Sequence, residues 1–305
     1  MNHDFSIIDA CMLANDEQAC ELYLAGLQFS AIPRCNQCER QMTARKDRAN
    51  SFRCHSCNTS KTSYADTIFK GCKISKGHVL LLGYLFVCEI PLIKVSQMTG
   101  HCPKTVRYWC NLFRQAITFN LEATNDENKI GGDDVVVEID ESKFGKRKYN
   151  RGHRVEGVWV VGGRERTGDK RMFAAKVDNR SAETLLALIQ RHVLPGTTII
   201  TDCWKGYKSD GLIELGMLHT TVNHSLHFVD PTTGAHTNGI EGTWSAMKVS
   251  IPKRKRTEKD IEPCLFEYVW RRNNQGNLWA SFIIAIKDIY NNLELLDDQI
   301  YTTCN

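Results

Sequence analysis

No stretch of this chain stays apolar long enough to cross a bilayer. The longest candidate, His78 to Cys88 (HVLLLGYLFVC), is only about half of the ~20 residues that a helical span requires. The opening residues carry acids where a secretory leader needs a basic region, so no leader is expected there. The expectation is an intracellular chain with no membrane partner. Strong net charge is also absent. Lys and Arg number 39 against 35 Asp and Glu, a balance of +4 that identifies no partner by itself. Internal repeats and low-complexity segments are missing too, which excludes stacked repeat architectures. What remains is an ordinary globular composition, 42% hydrophobic over 305 residues. That is enough for one large domain with one or two small ones attached.

Cysteine is the conspicuous presence, with thirteen copies. An odd number argues against a complete disulfide framework. Cys35 with Cys38 and Cys54 with Cys57 form two CxxC pairs separated by fifteen residues. Each pair can place two thiolates on one metal, and two such knuckles complete a tetrahedral zinc site with no position left for water. The zinc would therefore be structural; redox dithiols are the other reading of such pairs. Between the knuckles, Met42 to Arg45 and Phe52 to Arg53 read as arms of a short β-ribbon. Nearby Arg34, Arg40, Arg45, Lys46, Arg48 and Arg53 favour nucleic acid as the partner. The nine cysteines without a CxxC partner read as small buried hydrophobes.

Apolar residues recur at helical spacing over about 5–30, with a break at Asn15 and Asp16, and again over about 75–119, with breaks at Pro91 and around Gly100 to Pro103. In the second stretch Leu92 to Gly100 and Pro103 to Trp109 fit a helix-turn-helix, with a plain helical hairpin as the alternative. Lys104, Thr105 and Arg107 would then lie at the start of the recognition helix. The polar run Asn125 to Asp134 reads as a linker. Beyond it the texture turns to strands: Val135 to Asp140, Val155 to Val161 and Met172 to Val177, with a turn from Gly162 and Gly163 to Thr167 and Gly168. A helix capped by Ser181, a strand Thr197 to Thr201, a helix Trp204 to Leu215 and a strand Leu218 to Val222 follow. A polar loop, Asn223 to Ala235, leads to a helix from Thr237 to Val249, and two helices close the chain. This order indicates a mixed α/β sheet covered by helices.

Asp140 and Asp202 each end an apolar β run, and Glu241 lies early in a helix. Unpaired charge at the end of a buried strand is poorly placed for stability. Carboxylates brought together this way suit Mg²⁺, although aspartates also end strands and cap helices for purely structural reasons. Asn238 and Glu241 are three residues apart and share a helical face, as do Trp244 and Lys248. Glu138 alternates with Asp140, whereas Glu141 points to the opposite face. Basic residues crowd after Asp140 (Lys143, Lys146, Arg147, Lys148 and Arg151) and again from Lys253 to Arg256. Both runs suit a phosphate backbone or a solvated surface. Trp204 and Trp244 read as core, with base-stacking platforms as the alternative, and His236 as a structural group or one that assists water or binds the substrate.

Three stretches, Val137 to Gly145 (VEIDESKFG), Ile200 to Tyr207 (ITDCWKGY) and Asn223 to Lys248, the last containing FVDP and HTNGIEGTWSAMK, resemble the DDE transposases of the Merlin type and their bacterial insertion-sequence relatives. The resemblance covers nearly the whole chain, zinc ribbon included. It implies a ribonuclease H-like mixed sheet flanked by helices over 133–295, preceded by an N-terminal helical segment (1–30), a zinc ribbon (31–70) and a helix-turn-helix-like segment (71–124). It implies Asp140, Asp202 and Glu241 as ligands of two Mg²⁺ or Mn²⁺ ions, with Asn238 as the fallback for the third position. Cutting and joining of element ends, binding of double-stranded DNA also through Lys205 and Lys248, and a dimer or larger assembly follow from the same likeness. A nuclear location is expected in a eukaryotic host, where Pro252 to Arg256 reads as an import signal, and a cytoplasmic one otherwise. Two rivals stand beside it: a domesticated, non-catalytic zinc and DNA-binding regulator, and a metal-dependent nuclease that cuts without joining.

Overall fold

The computed structural model describes residues 5–29, 32–48, 50–65, 67–145, 157–202, 204, 206–207, 209–222 and 236–288. They divide into two compact units, residues 1–120 with 277–305, and 121–276.

In the first unit Ser6 starts helix α1 (Ile7–Asn15). Its hydroxyl accepts from the Asp9 backbone N–H, and the Asp9 carboxylate accepts from the Ser6 N–H at 2.8 Å. Such a reciprocal box satisfies two donors that a first turn leaves open, and each cap contributes about 1 kcal/mol. Asp16 ends α1 and caps α2 (Glu17–Gly26) through its own side chain, which is the break expected at Asn15 and Asp16. Three strands follow, β1 (Thr43–Ala44), β2 (Ser51–Arg53) and β3 (Ser60–Thr62), in an antiparallel sheet ordered β1-β2-β3. The sequence predicts two of them; Ser60 to Thr62 is too short and polar to announce a third. Helix α3 (Lys76–Val87) begins at Ser75, whose hydroxyl accepts from the His78 N–H. After it come α4 (Leu92–Thr99), which ends at Gly100, and α5 (Pro103–Ala123), which starts on the residue best suited to a first turn. Val106, Trp109, Cys110, Phe113 and Ile117 make one buried stripe along α5.

The second unit opens with β4 (Ile130–Gly131), lying inside the expected linker, then β5 (Val136–Phe144), β6 (Val158–Glu165) and β7 (Met172–Val177), helix α6 (Ala182–His192), β8 (Val193–Leu194), β9 (Thr198–Asp202), α7 (Ser209–Glu214), β10 (Leu218–Val222), α8 (Asn238–Ser250) and α9 (Ile261–Asn273). β4 pairs in parallel with β8. The main sheet has five strands in the order β10-β9-β5-β6-β7. β5, β6 and β7 form an antiparallel meander, while β9 and β10 return parallel to β5 through α6 and α7. The sheet is thus mixed and covered by helices on both faces, as the sequence implies. Val137, Ile139, Val161 and Phe173 pack with Leu185 and Ile189 of α6 on one face. Phe144, Val158, Val160 and Met172 pack with Ile240, Trp244 and Met247 of α8 and with Ile261 and Leu265 of α9 on the other. The period of two in each strand makes this division.

Two expectations need correction. Gly162 and Gly163 lie inside β6 and form no turn. A Cβ at Gly162 would come within 2.6 Å of the Trp244 ring, and one at Gly163 within 2.4 Å of the Phe173 ring, so these glycines let large aromatics close on both faces. Helix α7 is much shorter than the predicted 204–215. The Trp204 N–H is taken by the Asp202 carboxylate at 2.9 Å, and the Tyr207 N–H by the Trp204 carbonyl, so a turn occupies the stretch before it. The last described helix, α10 (Leu278–Asp288), belongs to the first unit. There Trp279 stacks on Phe5 with ring centroids 4.2 Å apart and donates its indole N–H to the Tyr23 hydroxyl.

Candidate active site and zinc site

The two CxxC pairs fold into the same turn twice. The Glu39 N–H donates to the Cys35 carbonyl and the Asn58 N–H to the Cys54 carbonyl. Cys35 and Cys54 in turn donate their N–H groups to Arg40 and Thr59. Glu39 and Asn58 both take the left-handed conformation, at φ 57° and 56°, which aims each pair of thiols back at the other. The four Sγ atoms lie within 4.8 Å of one another, and Cys38 and Cys54 are 3.6 Å apart. A tetrahedron with Zn–S bonds of ~2.3 Å has edges of ~3.8 Å, so the set closes on zinc with a contraction of about 1 Å or less. The electrostatics agree: the Thr59 hydroxyl and the Gln37 N–H hold the Cys35 thiol down to about 6, while Cys38 and then burial push Cys57 up to about 12. Four crowded sulfurs cannot all ionise until a cation joins them. Among the cysteines outside the CxxC pairs, Cys20 and Cys110 are buried as expected, but Cys11, Cys88 and Cys102 are exposed and Cys72 and Cys264 half-buried. Helix outer faces, ends and turns carry the exposed ones. Cys203 and Cys304 lie outside the described residues.

Asp140 and Asp202 share one face of the main sheet. Strands β5 and β9 pair in register from Val136 opposite Thr198 to Glu138 opposite Ile200. The next residues of that face on each strand are Asp140 and Asp202, where the paired segment has ended. Burial raises the Asp140 carboxyl to about 6, the neighbouring Glu141 and Asp202 charges add to this, and hydrogen bonds from the Glu141 N–H and the Trp244 indole oppose it. Two carboxylates side by side, one of them reluctant to ionise, form a donor set that a divalent cation would satisfy. Helix α8 lies across this face. The Trp244 indole N–H donates to Asp140 Oδ2 at 3.0 Å, and Lys248 Nζ donates to the Ser142 hydroxyl at 2.5 Å. Burial and Arg256 lower the Lys248 pKa, with Asp140 acting in the other direction. Glu241 is exposed in the first turn of α8, its Oε1 accepting from the Thr237 hydroxyl at 3.2 Å, and Asn238 is exposed at the helix start. Among the described residues the four cysteines are the one set of three or more such side chains close enough to hold a single ion. Asp140, Asp202 and Glu241 are not drawn together to that degree.

A latch invisible in the sequence holds the start of α8 against β5. Glu138 is buried on the Asp140 face. Its Oε2 accepts from the Ile240 N–H at 2.9 Å and its Oε1 from Arg166 Nε at 2.7 Å, with His236 Nδ1 at 3.4 Å. Arg164, opposite Glu138 on β6, donates to the Gly239 carbonyl at 2.6 Å, and Arg166 also donates to the His236 carbonyl. A Cβ on Gly239 would meet Arg164 and Glu138 at 2.7 Å, so only glycine admits this approach. His236 joins the latch through its backbone carbonyl, while its buried Nδ1 lies 3.4 Å from Glu138 without forming a hydrogen bond.

Residues 126–273, almost the whole of the second unit, match the ISXO2-like transposase domain family. An uncharacterized transposase-like protein of Haemophilus influenzae is 30% identical over 105 residues, which are 34% of this chain and 82% of that protein. The chain belongs to the ISXO2-like transposase family.

For a transposase, the remaining predicted residues divide by their surroundings. Lys104 and Arg107 are exposed and Thr105 half-buried in the first turn of α5. Lys143 leaves β5 on the face opposite Asp140, with Nζ 5.2 Å from the centre of the Trp159 ring. Lys146, Arg147, Lys148, Arg151 and Lys205 lie outside the described residues. Of the second basic run, Arg256 spends its guanidinium on the Ile251 and Lys248 carbonyls at the end of α8, and Lys255 pairs with Asp260 at 2.8 Å. Lys253 and Arg254 remain exposed. Glu141 points away from Asp140, as parity predicts, and meets Arg180 at 3.5 Å and the hydroxyl region of Tyr207. Burial raises its carboxyl. Trp244 is buried, as read from the sequence, but Trp204 is 41% exposed and is not core. No helix among the described residues is long and apolar enough to cross a membrane.

Proposed function

We propose that the chain is a DNA transposase that cuts element ends and joins them to target DNA, with Asp140, Asp202 and Glu241 as the acids of its active site and Asn238 as the alternative third donor. The observation that carries this reading is that Asp140 and Asp202 follow on one face of adjacent parallel strands, one step beyond their paired segment, with the helix that bears Glu241 packed on that face. Strand order and direction also support a ribonuclease H-like fold for this unit. Two Mg²⁺ or Mn²⁺ ions bound there would activate an attacking oxygen and stabilise a leaving one during in-line displacement. The chain's own residues do the rest. Asp140 and Asp202 supply fixed oxygens from the rigid sheet. The Trp244 indole orients the Asp140 carboxylate. The Glu138 latch sets the depth of α8 and so the reach of Glu241. Lys248 holds positive charge beside Asp140, where a phosphate would arrive.

The Cys35, Cys38, Cys54 and Cys57 site and the α4–α5 pair, with Lys104, Thr105 and Arg107, would recognise the element's terminal sequence. Lys143, Lys146, Arg147, Lys148, Arg151 and Lys205 would hold the backbone. Paired ends call for a dimer or larger assembly. In a eukaryotic host the chain would work in the nucleus, otherwise in the cytoplasm. The separation of Glu241 from the aspartates favours a second reading, a non-catalytic DNA-binding regulator. Incubation with Mg²⁺ or Mn²⁺ and DNA carrying the sequences that flank the gene separates these readings. Cut and joined product supports the transposase, cutting alone a nuclease, and neither the regulator.

A further inference from the structure

Trp204 is a large aromatic that the fold holds rigidly and yet leaves uncovered. The Arg180 guanidinium lies over its ring, 4.5 Å from the centre, and over the Trp159 ring at 3.8 Å. Arg180 is steadied in turn by Glu141 at 3.5 Å. Gly206 leaves room for the indole edge, since a Cβ there would stand 2.6 Å from Trp204 Nε1. The Trp204 N–H is tied to the Asp202 carboxylate at 2.9 Å. A cation over both indoles draws each ring to it, and Trp204 is nonetheless 41% exposed. An unsupported surface tryptophan would need no such arrangement.

We infer that Trp204 is a stacking platform for an unpaired nucleobase of the DNA strand that reaches Asp202. In a duplex both faces of every base are occupied by neighbours, so only a base that has left the stack can use such a platform. The Trp204 backbone is bonded to Asp202 while its ring lies with Arg180, Glu141 and Trp159 on the sheet face opposite Asp140, so a strand whose phosphate sits at Asp202 reaches the ring by crossing the end of β9. Stacking on an aromatic side chain is indifferent to base identity and strengthens binding to unpaired DNA. This inference rests on the transposase reading, since it takes DNA to be the substrate, but its test does not require cleavage.

The test titrates the full-length chain with a short duplex bearing a single-stranded overhang that contains 2-aminopurine, at fixed salt. Trp204→Leu keeps an apolar side chain without a π-face, and Trp204→Phe keeps the face. The wild type and Trp204→Phe are expected to quench 2-aminopurine and bind within about threefold of each other, and Trp204→Leu to bind about five- to a hundredfold more weakly. Abasic residues in the overhang should reduce wild-type affinity to that of Trp204→Leu and leave the variant unchanged. Equal binding by wild type and Trp204→Leu, or equal loss from abasic residues in both, overturns the platform. A wild type that fails to cut DNA but shows the base-dependent difference loses the transposase reading and keeps the platform. One that cuts and shows no difference keeps the former and loses the latter.

Discussion

Glu138 offers the sharpest test of how the candidate site is built. Its side chain is 3% exposed and has two close donors, the Ile240 N–H and Arg166 Nε, with His236 beside them. Glu138→Ala leaves Arg166 without its carboxylate and the start of α8 without its acceptor. Deleting one partner of a buried pair costs about 3–5 kcal/mol. For a unit of this size each kcal/mol moves Tm by about 2–4 °C, so Glu138→Ala should melt roughly 6–20 °C lower than the wild type. Glu138→Gln keeps one acceptor, for the Ile240 N–H, but loses the charge and turns an amide donor towards Arg166, and should recover roughly half of that drop. The control is Glu258→Ala. Glu258 pairs with Lys176 at 2.7 Å but is 67% exposed, and solvent screening should leave its Tm unchanged. Calorimetry on the three variants decides the matter. If Glu138→Ala melts no lower than Glu258→Ala, the latch holds nothing and the account of how α8 is positioned fails.

Acid should weaken the second unit through His192, which stacks on Phe173 with centroids 4.9 Å apart. Burial, then Arg191 and Lys129, hold its pKa down to about 4 from 6.5. The folded chain therefore refuses a proton that the unfolded chain accepts, so stability is full above pH 6.5 and falls as pH drops towards 4, by about 3 kcal/mol at most. His192→Phe should flatten this part of the Tm-against-pH curve, and parallel curves for the two proteins would rule out His192 as the cause. Elemental analysis of the purified chain should find a single zinc that Cys54→Ala loses together with thermal stability, whereas Cys110→Ala keeps it. Equal zinc in both variants would contradict a Cys35, Cys38, Cys54 and Cys57 site.

Features carried by neighbouring residues were legible from the sequence, and features assembled across the chain were not. The knuckles announce themselves because each places two thiols within four residues. Asp140 and Asp202 stand out because β-branched runs lead straight to them, and parity alone puts Glu138 on the Asp140 face and Glu141 on the other. The latch has no such signal. Glu138 meets Arg166 across 28 residues and Ile240 across 102, and an acid two places before an aspartate looks like a second ligand until its partners are seen. Gly162 and Gly163 were misread because glycine pairs mark turns as often as they admit a ring from the next layer. Trp204 was misread because composition favours burial of tryptophan, whereas the Asp202 turn and the Arg180 stack hold it at the surface. Helix α10 follows α9 closely in the chain, and its contacts with Phe5, Tyr23, Phe86 and Phe113, far away in sequence, assign it to the first unit.

The central claim is that Asp140, Asp202 and Glu241 make this transposase-family chain an enzyme. The direct measurement is cleavage and strand transfer on DNA carrying the gene's flanking sequences, with Mg²⁺ or Mn²⁺, for the wild type and for Asp140→Asn, Asp202→Asn and Glu241→Gln. Cut and joined product from the wild type, and its loss by at least about a hundredfold in each variant with DNA binding and zinc content unchanged, is the predicted result. Wild-type activity that survives in Asp140→Asn or Asp202→Asn would contradict the site itself. Survival in Glu241→Gln alone would move the third position to Asn238.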